Sequence, residues 1–183
     1  MHERFKIDFI GIGAEKAGTT WVAEMLREHP EIFIPKNKEL HFFNKKFVEN
    51  PQVENLNFHK SLEWYKKFFK KSKKGQIRGE ICPAYLWDKE APYKIKKYFP
   101  EIKIFVILRN PLERAYSQYL YYKQKGAIRE KDFITSLKNN HYLIERSLYY
   151  EQIKKYFDLF PKRKIKIMFF ENLQQNSISF LKE

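Results

Sequence analysis

One stretch near the start of the chain constrains the fold most, because it combines an apolar run, a glycine-bounded loop and a helix start. The largely apolar run from Phe5 to Ile12 predicts a buried strand. Gly13 opens a tight turn, and Gly18 precedes a helix predicted from Trp21 to Glu28. A loop between a strand and a helix N-terminus points backbone N–H groups inward, and the helix dipole adds partial positive charge. The stretch therefore predicts an anion-binding site after the first strand.

The spacing within this loop can be compared with the phosphate-binding frame Gly-x-x-x-x-Gly-Lys-Ser/Thr. Gly13, Gly18 and Thr20 fall in register, but Thr19 stands where the frame has lysine, and Lys16 lies inside the loop. In nucleoside triphosphatases the frame lysine reaches the β- and γ-phosphates beside Mg²⁺. A lysine inside the loop would sit closer to one bridging oxygen, which favours a different phosphate ester. A P-loop kinase or triphosphatase, or a turn without a ligand, stays open here.

The overall charge of the chain is strongly positive. Its 183 residues include 36 Lys and Arg against 22 Asp and Glu, a formal net charge of +14. Such an excess attracts nucleic acid, acidic glycans, anionic membranes or a highly charged nucleotide. A basic binding module would focus this charge in one patch, whereas scattered lysines would only solvate helix faces. Both interpretations stay open on composition.

Length and cysteine content bound the organisation of the chain. Residues 1–183 are enough for one domain with a hydrophobic core, and a single domain is predicted. The one cysteine, Cys82, excludes an internal disulfide and is compatible with a reducing compartment. Because we find neither a signal peptide nor an apolar run of about 18 residues, we expect a cytoplasmic protein without a membrane span.

A second candidate anion site follows the clearest strand pattern in the chain, Lys103–Leu108. Arg109 comes directly after this strand, and a helix is predicted from Pro111 to Gln124. Open α/β sheets bind ligands at the carboxyl ends of their strands. Ser117, about two turns into the helix, can face the same edge. A guanidinium and a hydroxyl that converge there would suit a phosphate, although a surface ion pair would also explain Arg109.

A candidate general base lies in the string from Lys38 to Asn44. In an extended conformation Glu39, His41 and Phe43 would share one face, which would place a carboxylate beside an imidazole. A positioned carboxylate is a suitable general base. A solvent-exposed Glu with a packed His is the alternative on spacing alone.

The order of elements predicts an α/β fold, a three-layer α/β/α sandwich with a mostly parallel sheet, because strands alternate with long crossovers. The remaining periodicity predicts helices over Ser61–Lys71, Pro92–Phe99 and Arg146–Phe160, a helix from about Lys131, and strands over Gln76–Ile81 and Lys164–Phe170. The short apolar piece Ile32–Ile34 is assigned to a connection.

Two separate motifs resemble those of the PAPS-dependent sulfotransferases, whose donor is 3′-phosphoadenosine 5′-phosphosulfate (PAPS). The string Lys16-Ala17-Gly18-Thr19-Thr20-Trp21 resembles the family's 5′-phosphosulfate loop. Arg109-Asn110-Pro111-Leu112-Glu113-Arg114-Ala115-Tyr116-Ser117 matches its 3′-phosphate motif, Arg-[Asp/Asn]-Pro-x-x-Arg-x-x-Ser. The strings His29–Ile32 and Lys38–Phe43 are similar to the branch that includes glycosaminoglycan and many bacterial sulfotransferases. The resemblance covers Phe5 to about Leu173 and implies a P-loop NTPase-like fold.

The resemblance also implies a reaction and its residues. A sulfuryl group would pass from PAPS to a hydroxyl or amine of an acceptor, expected to be a carbohydrate, and leave 3′,5′-adenosine bisphosphate. Catalysis would use Lys16, with Glu39 as general base and His41 as its supporting neighbour; neither a metal ion nor nucleic acid is expected. The implied donor ligands are Lys16, Ala17, Gly18, Thr19, Thr20, Trp21, Arg109 and Ser117. Arg146 and Ser147 would lie near the nucleotide.

Departures from the family pattern concern the acceptor and the chain end. Asn44 stands where some relatives have Asp after two Phe residues, and Ile81 stands where the glycosaminoglycan enzymes have Lys after Glu80. Residues 45–60 are predicted to form a loop, as a lid or a wall of the acceptor site. The family usually continues well past position 183, so the domain is expected to lack a C-terminal segment. A donor-binding but inactive fragment stays an alternative.

Overall fold

The computed structural model describes residues 5–47 and 53–182 of the chain. These residues contain five strands in one sheet of order β2-β3-β1-β4-β5, and every pairing between them is parallel. The strands are β1 (Phe9–Gly11), β2 (Ile32–Phe33), β3 (Ile77–Ile81), β4 (Lys103–Leu108) and β5 (Ile165–Phe169). The prediction of an α/β fold with a mostly parallel sheet is confirmed.

The first strand is shorter than its apolar run. Regular pairing covers Phe9–Gly11, although the backbone bonds continue at both ends, from Asp8 N–H to the Arg78 carbonyl (2.7 Å) and from Ile12 N–H to the Phe105 carbonyl (3.0 Å). The assignment of Ile32–Phe33 to a connection was wrong, because these two residues pair with β3 as an edge strand. Two residues are too few to show the alternating hydrophobic pattern of a strand, so only their pairing with β3 reveals it.

Ten α-helices accompany the sheet within the described residues. They are α1 (Thr19–Glu28), α2 (Leu62–Lys66), α3 (Ala84–Trp87), α4 (Ala91–Tyr98), α5 (Pro111–Gln124), α6 (Phe133–Asn139), α7 (Tyr142–Glu145), α8 (Tyr149–Leu159), α9 (Phe170–Gln175) and α10 (Ser177–Lys182). Single 3₁₀ turns occupy Leu56–His59, Lys67–Phe69 and Lys162–Lys164. None of the described helices is both long and apolar enough to span a membrane.

Several helix boundaries differ from those that the sequence predicts. The helix expected over Ser61–Lys71 divides into α2 and a 3₁₀ turn, with the Ser61 hydroxyl accepting from Trp64 N–H as an N-cap. The helix expected from Arg146 begins at Tyr149, because Arg146 and Ser147 belong to the turn after α7. Helix α5 has the predicted bounds, and the Asn110 side chain caps it by accepting from two backbone N–H groups.

The sheet order brings three strand ends together. The central strand β1 lies between β3 and β4, and all three run in the same direction. The chain therefore leaves these strands at one edge, the place where α/β sheets bind ligands. Ile10, Ile104 and Val106 are fully buried in the middle of the sheet and fix these strands in the core.

Candidate active site

The glycine loop, residues 13–18, joins β1 to α1 at this edge. Gly18 caps α1 in a left-handed conformation (φ 79°) without a side-chain hydrogen bond to the first helical N–H groups. These N–H groups and the helix dipole make the start of α1 an anion-binding site. A Cβ on Gly18 would lie 2.8 Å from Leu173 Cδ2, so the loop needs glycine here for space as well as for conformation.

Lys16 lies in the glycine loop with a positive φ angle of 64°. Its Nζ lies 4.2 Å from the centre of the Tyr121 ring, a cation–π contact with helix α5. Burial lowers the pKa of Lys16, and the nearby Arg109 charge lowers it further, while Glu15 opposes both. Two cations held close together in this way favour an anionic ligand.

Arg109 reaches the same loop from the end of β4. Its Nη1 donates to the Lys16 carbonyl at 3.2 Å, and its guanidinium lies 4.7 Å from the Phe170 ring centre. Arg109 also pairs with Glu113 at 3.3 Å, so the ion pair that the sequence left open is present beside the loop contact. Ser117 is half-buried, one helical turn from both Glu113 and Tyr121, and therefore on the face of α5 that meets the glycine loop.

The other predicted donor ligands lie where the loop becomes a helix. Ala17 is fully buried between the two ends of the loop. Thr19 and Thr20 are the first two residues of α1; Thr19 is buried and Thr20 is exposed. Trp21 is half-buried and packs against the core. No contact in the structure tests the donor roles of these residues, which stay predictions.

A buried polar network supports the glycine loop from behind. Glu15 Oε2 lies 2.9 Å from Arg146 Nη1 and accepts from Gln118 Nε2 at 2.9 Å. The fully buried Arg114 donates to Ser147 Oγ at 2.6 Å and to Gln118 Oε1 at 2.5 Å. Arg146 thus contacts the glycine loop through Glu15, and Ser147 contacts helix α5 through Arg114. No role was predicted for Glu15, Arg114 or Gln118, although the second Arg of the 3′-phosphate motif was a signal for Arg114.

The carboxylate loop, residues 38–46, holds the candidate base beside the end of β3. The predicted pairing is confirmed, since Glu39 Oε2 and His41 Nε2 lie 3.7 Å apart. The predicted extended conformation is wrong: both residues have left-handed φ angles, 65° and 51°, and Phe43 is fully buried rather than on their face. Lys38 Nζ forms an ion pair with Glu39 Oε1 at 2.6 Å, so a cation lies on the other side of this carboxyl group.

The other side of the His41 ring faces Asn44. Asn44 Nδ2 donates to the Lys46 carbonyl at 2.7 Å, so its amide oxygen lies toward His41 Nδ1, at 3.1 Å, and accepts its N–H. Asn44 thus holds the ring by a neutral contact in the position where some relatives have Asp. Cys82 Sγ lies 3.6 Å from Nδ1, and burial raises the pKa of this thiol well above its usual value. Donor atoms of Glu39, His41 and Cys82 all lie within 4.8 Å of one another, so the absence of a metal stays a prediction.

Side chains distant in sequence hold the carbonyl groups of the carboxylate loop. Asn55 Nδ2 donates to the carbonyls of His41 and Asn44, both at 2.5 Å, and Lys94 Nζ donates to the Phe42 carbonyl at 2.6 Å. Asn57 Nδ2 donates to the Leu40 carbonyl at 3.1 Å. Part of the predicted loop 45–60, residues 48–52, lies outside the described residues. Asn55 and Asn57 therefore hold the carboxylate loop, and the role of residues 45–60 as a lid or a wall of the acceptor site stays a prediction.

A buried carboxyl group lies directly beneath the carboxylate loop. Glu80, at the end of β3, is 1% exposed and accepts from the hydroxyls of Tyr65 and Tyr85, each at 2.6 Å. Burial raises the pKa of Glu80 to about 7, the Glu39 charge adds to this, and hydrogen bonds from both phenols and from the Leu40 N–H oppose it. Ile81, which replaces the Lys of the glycosaminoglycan enzymes, is buried in the core.

A groove of about 1020 Å³ lies elsewhere, by the amino ends of β1, β4 and β5. Apolar residues such as Val22, Leu26 and Phe180 line it together with a rim of lysines. The motif residues described above lie at the opposite edge of the sheet. The candidate active site is therefore the carboxyl edge, where the glycine loop, Arg109 and the carboxylate loop meet.

Curated proteins of similar sequence include heparan sulfate sulfotransferases. The mouse and human heparan sulfate glucosamine 3-O-sulfotransferase 5 are each 33% identical in an alignment of 164 positions that covers 82% of this chain and 44% of the relative. The mouse heparan sulfate glucosamine 3-O-sulfotransferase 3B1 is 35% identical over 108 residues, 59% of this chain and 25% of the relative. This chain spans less than half the length of these curated relatives.

Solved structures agree with the fold. A sulfotransferase from Alicyclobacillus acidocaldarius has a TM-score of 0.86 at 25% identity and covers 97% of this chain, which spans 78% of that protein. Mouse sulfotransferase SULT7A1 complexed with PAP has a TM-score of 0.61 at 16% identity over 98% of this chain and 57% of that protein. The P-loop NTPase-like fold of sulfotransferases is thus shown. The sulfotransferase domain family matches residues 6–183, and the chain therefore belongs to this family.

Proposed function

We propose that this chain is the catalytic domain of a PAPS-dependent sulfotransferase that moves a sulfuryl group to a hydroxyl or amine of a carbohydrate. The observation that carries the proposal is the meeting of three elements at one sheet edge. Arg109 Nη1 contacts the Lys16 carbonyl at 3.2 Å, and Cys82, which touches His41, donates its N–H to the Gly11 carbonyl at 2.9 Å. Anion ligands and a candidate base thereby share one site.

In this proposal the glycine loop binds the phosphosulfate end of the donor. The N–H groups at the start of α1 and the Thr19 and Thr20 hydroxyls hold its oxygens, and Lys16 stabilises the negative charge that develops on the bridging oxygen. Arg109 and Ser117 hold the 3′-phosphate at the end of β4, a group that ATP lacks. Positioned charges of this kind supply most of the catalysis for such a transfer, because the protein forms no covalent bond.

Glu39 takes the acceptor proton as the oxygen or nitrogen attacks sulfur in line with the leaving phosphate. Its ion pair with Lys38, at 2.6 Å, fixes the direction of the carboxyl group that would act as the base. His41 orients the carboxylate and is itself held by Asn44 at 3.1 Å. The names of the heparan sulfate relatives and the net charge of +14 support an acidic carbohydrate as the acceptor.

Calorimetric titration tests the donor half of the proposal. We expect 3′,5′-adenosine bisphosphate to bind more tightly than ATP with Mg²⁺, and Arg109→Ala to weaken bisphosphate binding by roughly 10- to 100-fold, as expected for the loss of a charged hydrogen bond. Arg129→Ala, which removes a guanidinium outside the site, is the control. Preference for ATP–Mg²⁺ would support the kinase alternative instead.

Transfer of radiolabelled sulfate from PAPS to heparan sulfate tests the acceptor half. Transfer to heparan sulfate but not to desulfated, carboxyl-reduced polymer would support an acidic carbohydrate acceptor. Tight bisphosphate binding without transfer to any carbohydrate would support the alternative of a donor-binding but inactive domain. Binding that falls steeply with salt and ignores the nucleotide would favour a basic binding module.

We also propose that the domain works in a reducing compartment, the cytoplasm. The free thiol of Cys82, which is fully buried, supports this location because no disulfide contributes to the described fold. Fractionation of cells that express the native gene, with immunodetection of the chain, tests the location. Recovery from a secretory or periplasmic fraction would contradict it.

A further inference from the structure

The carboxylate loop has a backbone that its own residues do not favour. Glu39 and His41 both have φ angles in the left-handed region, which side-chain-bearing residues seldom adopt. Such a conformation persists only where neighbouring groups over-determine it. The groups that hold the loop therefore decide where the candidate base and its imidazole partner lie.

A buried chain of hydrogen bonds reaches this loop from β3. Glu80 Oε1 accepts from the Tyr85 hydroxyl at 2.6 Å, and the Tyr85 oxygen accepts from the Phe42 backbone N–H at 3.1 Å. The Leu40 backbone N–H faces the same carboxylate. Tyr85, whose hydroxyl Glu80 accepts, thus fixes the Phe42 backbone N–H, directly after His41.

Tyr65 provides an internal comparison within the same cluster. Its hydroxyl donates to the other oxygen of Glu80 at 2.6 Å, and the rings of Tyr65 and Tyr85 are both fully buried. The Tyr65 ring stacks on Phe42 with 4.7 Å between ring centres. Each phenol bonds to the same carboxylate, but the Tyr85 hydroxyl also bonds to the backbone of the carboxylate loop.

Packing alone does not explain a carboxyl group in this position. A buried carboxylate carries a desolvation penalty that an apolar side chain of similar size avoids. An apolar side chain would leave the buried hydroxyls of Tyr65 and Tyr85 without this acceptor. The hydrogen-bonding capacity of Glu80, rather than its volume, is therefore what the loop uses.

We propose that Glu80 and Tyr85 are positioning residues: Glu80 holds the Tyr85 hydroxyl, Tyr85 holds the Phe42 amide, and the two thereby keep Glu39 and His41 in their paired arrangement. This inference rests on the proposed function, in which Glu39 takes the proton of the acceptor. The two residues act through the backbone of the carboxylate loop and touch neither donor nor acceptor.

The test compares Tyr85→Phe with Tyr65→Phe in the full chain. Each change removes one phenolic hydroxyl that donates to Glu80 and keeps the buried ring. The two variants are therefore matched in the hydrogen bond that Glu80 loses and in the side-chain volume that stays. We expect Tyr85→Phe to lower kcat for transfer from PAPS to heparan sulfate by about 10- to 100-fold, as for a misplaced catalytic group, and Tyr65→Phe to lower it by less than about threefold. Bisphosphate affinity should stay within about twofold of wild type in both variants.

An acceptor-free readout separates this proposal from the proposed function. The His41 ring lies edge-to-face with Phe47 at 5.3 Å, so its NMR ring-proton shifts report the position of the loop. Tyr85→Phe should move the His41 signals and speed hydrogen exchange at the Phe42 amide, while Tyr65→Phe should leave both close to wild type. If the wild-type chain transfers no sulfate, the proposed function fails, and these signals alone decide the positioning role.

Equal effects of the two tyrosine changes on kcat and on the His41 signals would overturn the proposal, as would a Tyr85→Phe effect confined to bisphosphate affinity. Should Tyr85→Phe fail to fold, Glu80→Gln takes its place, because Gln keeps the volume but loses one of the two acceptor oxygens. We expect Glu80→Gln to move the His41 signals in the same direction. His41 signals unchanged in a folded Glu80→Gln variant would equally overturn the proposal.

Discussion

The glycine loop and the carboxylate loop lie at the same sheet edge, but different kinds of contact hold them in place. The glycine loop follows directly from β1 and α1, and its Gly18 supplies the one positive φ angle that starts the helix. The carboxylate loop belongs to no strand or helix. Side chains at positions 55, 57, 85 and 94 bind its backbone groups instead.

This difference predicts how each loop responds to mutation. A change inside the glycine loop should affect the donor, because the loop's own atoms bind it. The carboxylate loop should respond to changes far from Glu39, because distant residues determine its backbone, and such changes should leave donor affinity intact. Comparing kcat with bisphosphate affinity for each variant distinguishes the two behaviours.

The largest effect is expected from Lys16→Ala in the glycine loop. Removing a group that stabilises transition-state charge typically lowers the rate on the order of 10²- to 10³-fold. Single-turnover transfer from PAPS measures this loss. Lys125→Ala is the matched control, because Lys125 is an exposed cation 5.9 Å from the same Tyr121 ring and should retain activity. A Lys16→Ala rate within about threefold of wild type would remove Lys16 from the mechanism.

The next largest effect is on stability: we expect ionisation of Glu80, beneath the carboxylate loop, to lower the free energy of unfolding. Burial raises its pKa from 4.5 to about 7, so its stabilising contribution is complete below pH 4.5 and is lost as the pH rises through 7. The loss amounts to as much as about 3 kcal/mol. The other titratable groups that face it are Tyr65, Tyr85, Cys82 and Glu39.

Urea unfolding at a series of pH values measures this effect. The free energy of unfolding of wild type should fall between pH 5 and pH 8, whereas Glu80→Gln should not show this fall, because Gln does not ionise. The difference between the two proteins should therefore shift in favour of Glu80→Gln as the pH rises. Glu63→Gln is the control, since the Glu63 side chain is 75% exposed and should give a curve parallel to wild type. Parallel curves for wild type and Glu80→Gln would mean that Glu80 ionises as an ordinary carboxyl group.

A smaller effect is expected from Gly18→Ala, for which the chain offers a close control. Gly18 and Gly75 both have positive φ angles, 79° and 87°, but a Cβ on Gly75 would meet nothing within 4 Å. Each change should cost about 1–2 kcal/mol for the left-handed conformation. Gly18→Ala should in addition displace Leu173 and weaken bisphosphate binding. Equal bisphosphate affinity in the two variants would show that the glycine loop tolerates the displacement.

Much of the fold could be predicted from the sequence, because its signals are local. Helix α5 has its predicted bounds since Asn110 and Pro111 start it and Gly126 follows its end with a φ angle of 72°. Strand β4 is apolar from Ile104 to Leu108 and rich in β-branched residues, as a buried parallel strand requires. Edge strand β2 was missed because two residues carry no period, and its pairing with β3 joins segments more than 40 residues apart.

The candidate site, like the fold, could be predicted only where its signals are local in the sequence. The spacing in the glycine loop and the Arg109 motif indicated an anion site, and both lie at one sheet edge in the structure. The pairing of Glu39 with His41 was predicted from a conformation that the chain does not adopt. No local pattern could reveal the true conformation, because residues such as Asn55 and Tyr85 impose it from a distance in sequence.

The smallest activity effect is expected from Asn55→Ala, which removes a distant contact of the carboxylate loop. Asn55 is fully buried, and its amide donates to the His41 and Asn44 carbonyls. Both carbonyls then lose a buried donor, so we expect a loss of about 1–3 kcal/mol in stability and a roughly tenfold lower kcat through displacement of the loop. Bisphosphate affinity should be unchanged. Asn139→Ala, which removes an exposed amide bonded to Glu130, should match wild type in every measurement. If Asn55→Ala instead weakened bisphosphate binding as much as it lowered kcat, the positions of the two loops would be coupled. A contact confined to the carboxylate loop would then control the conformation of the glycine loop as well.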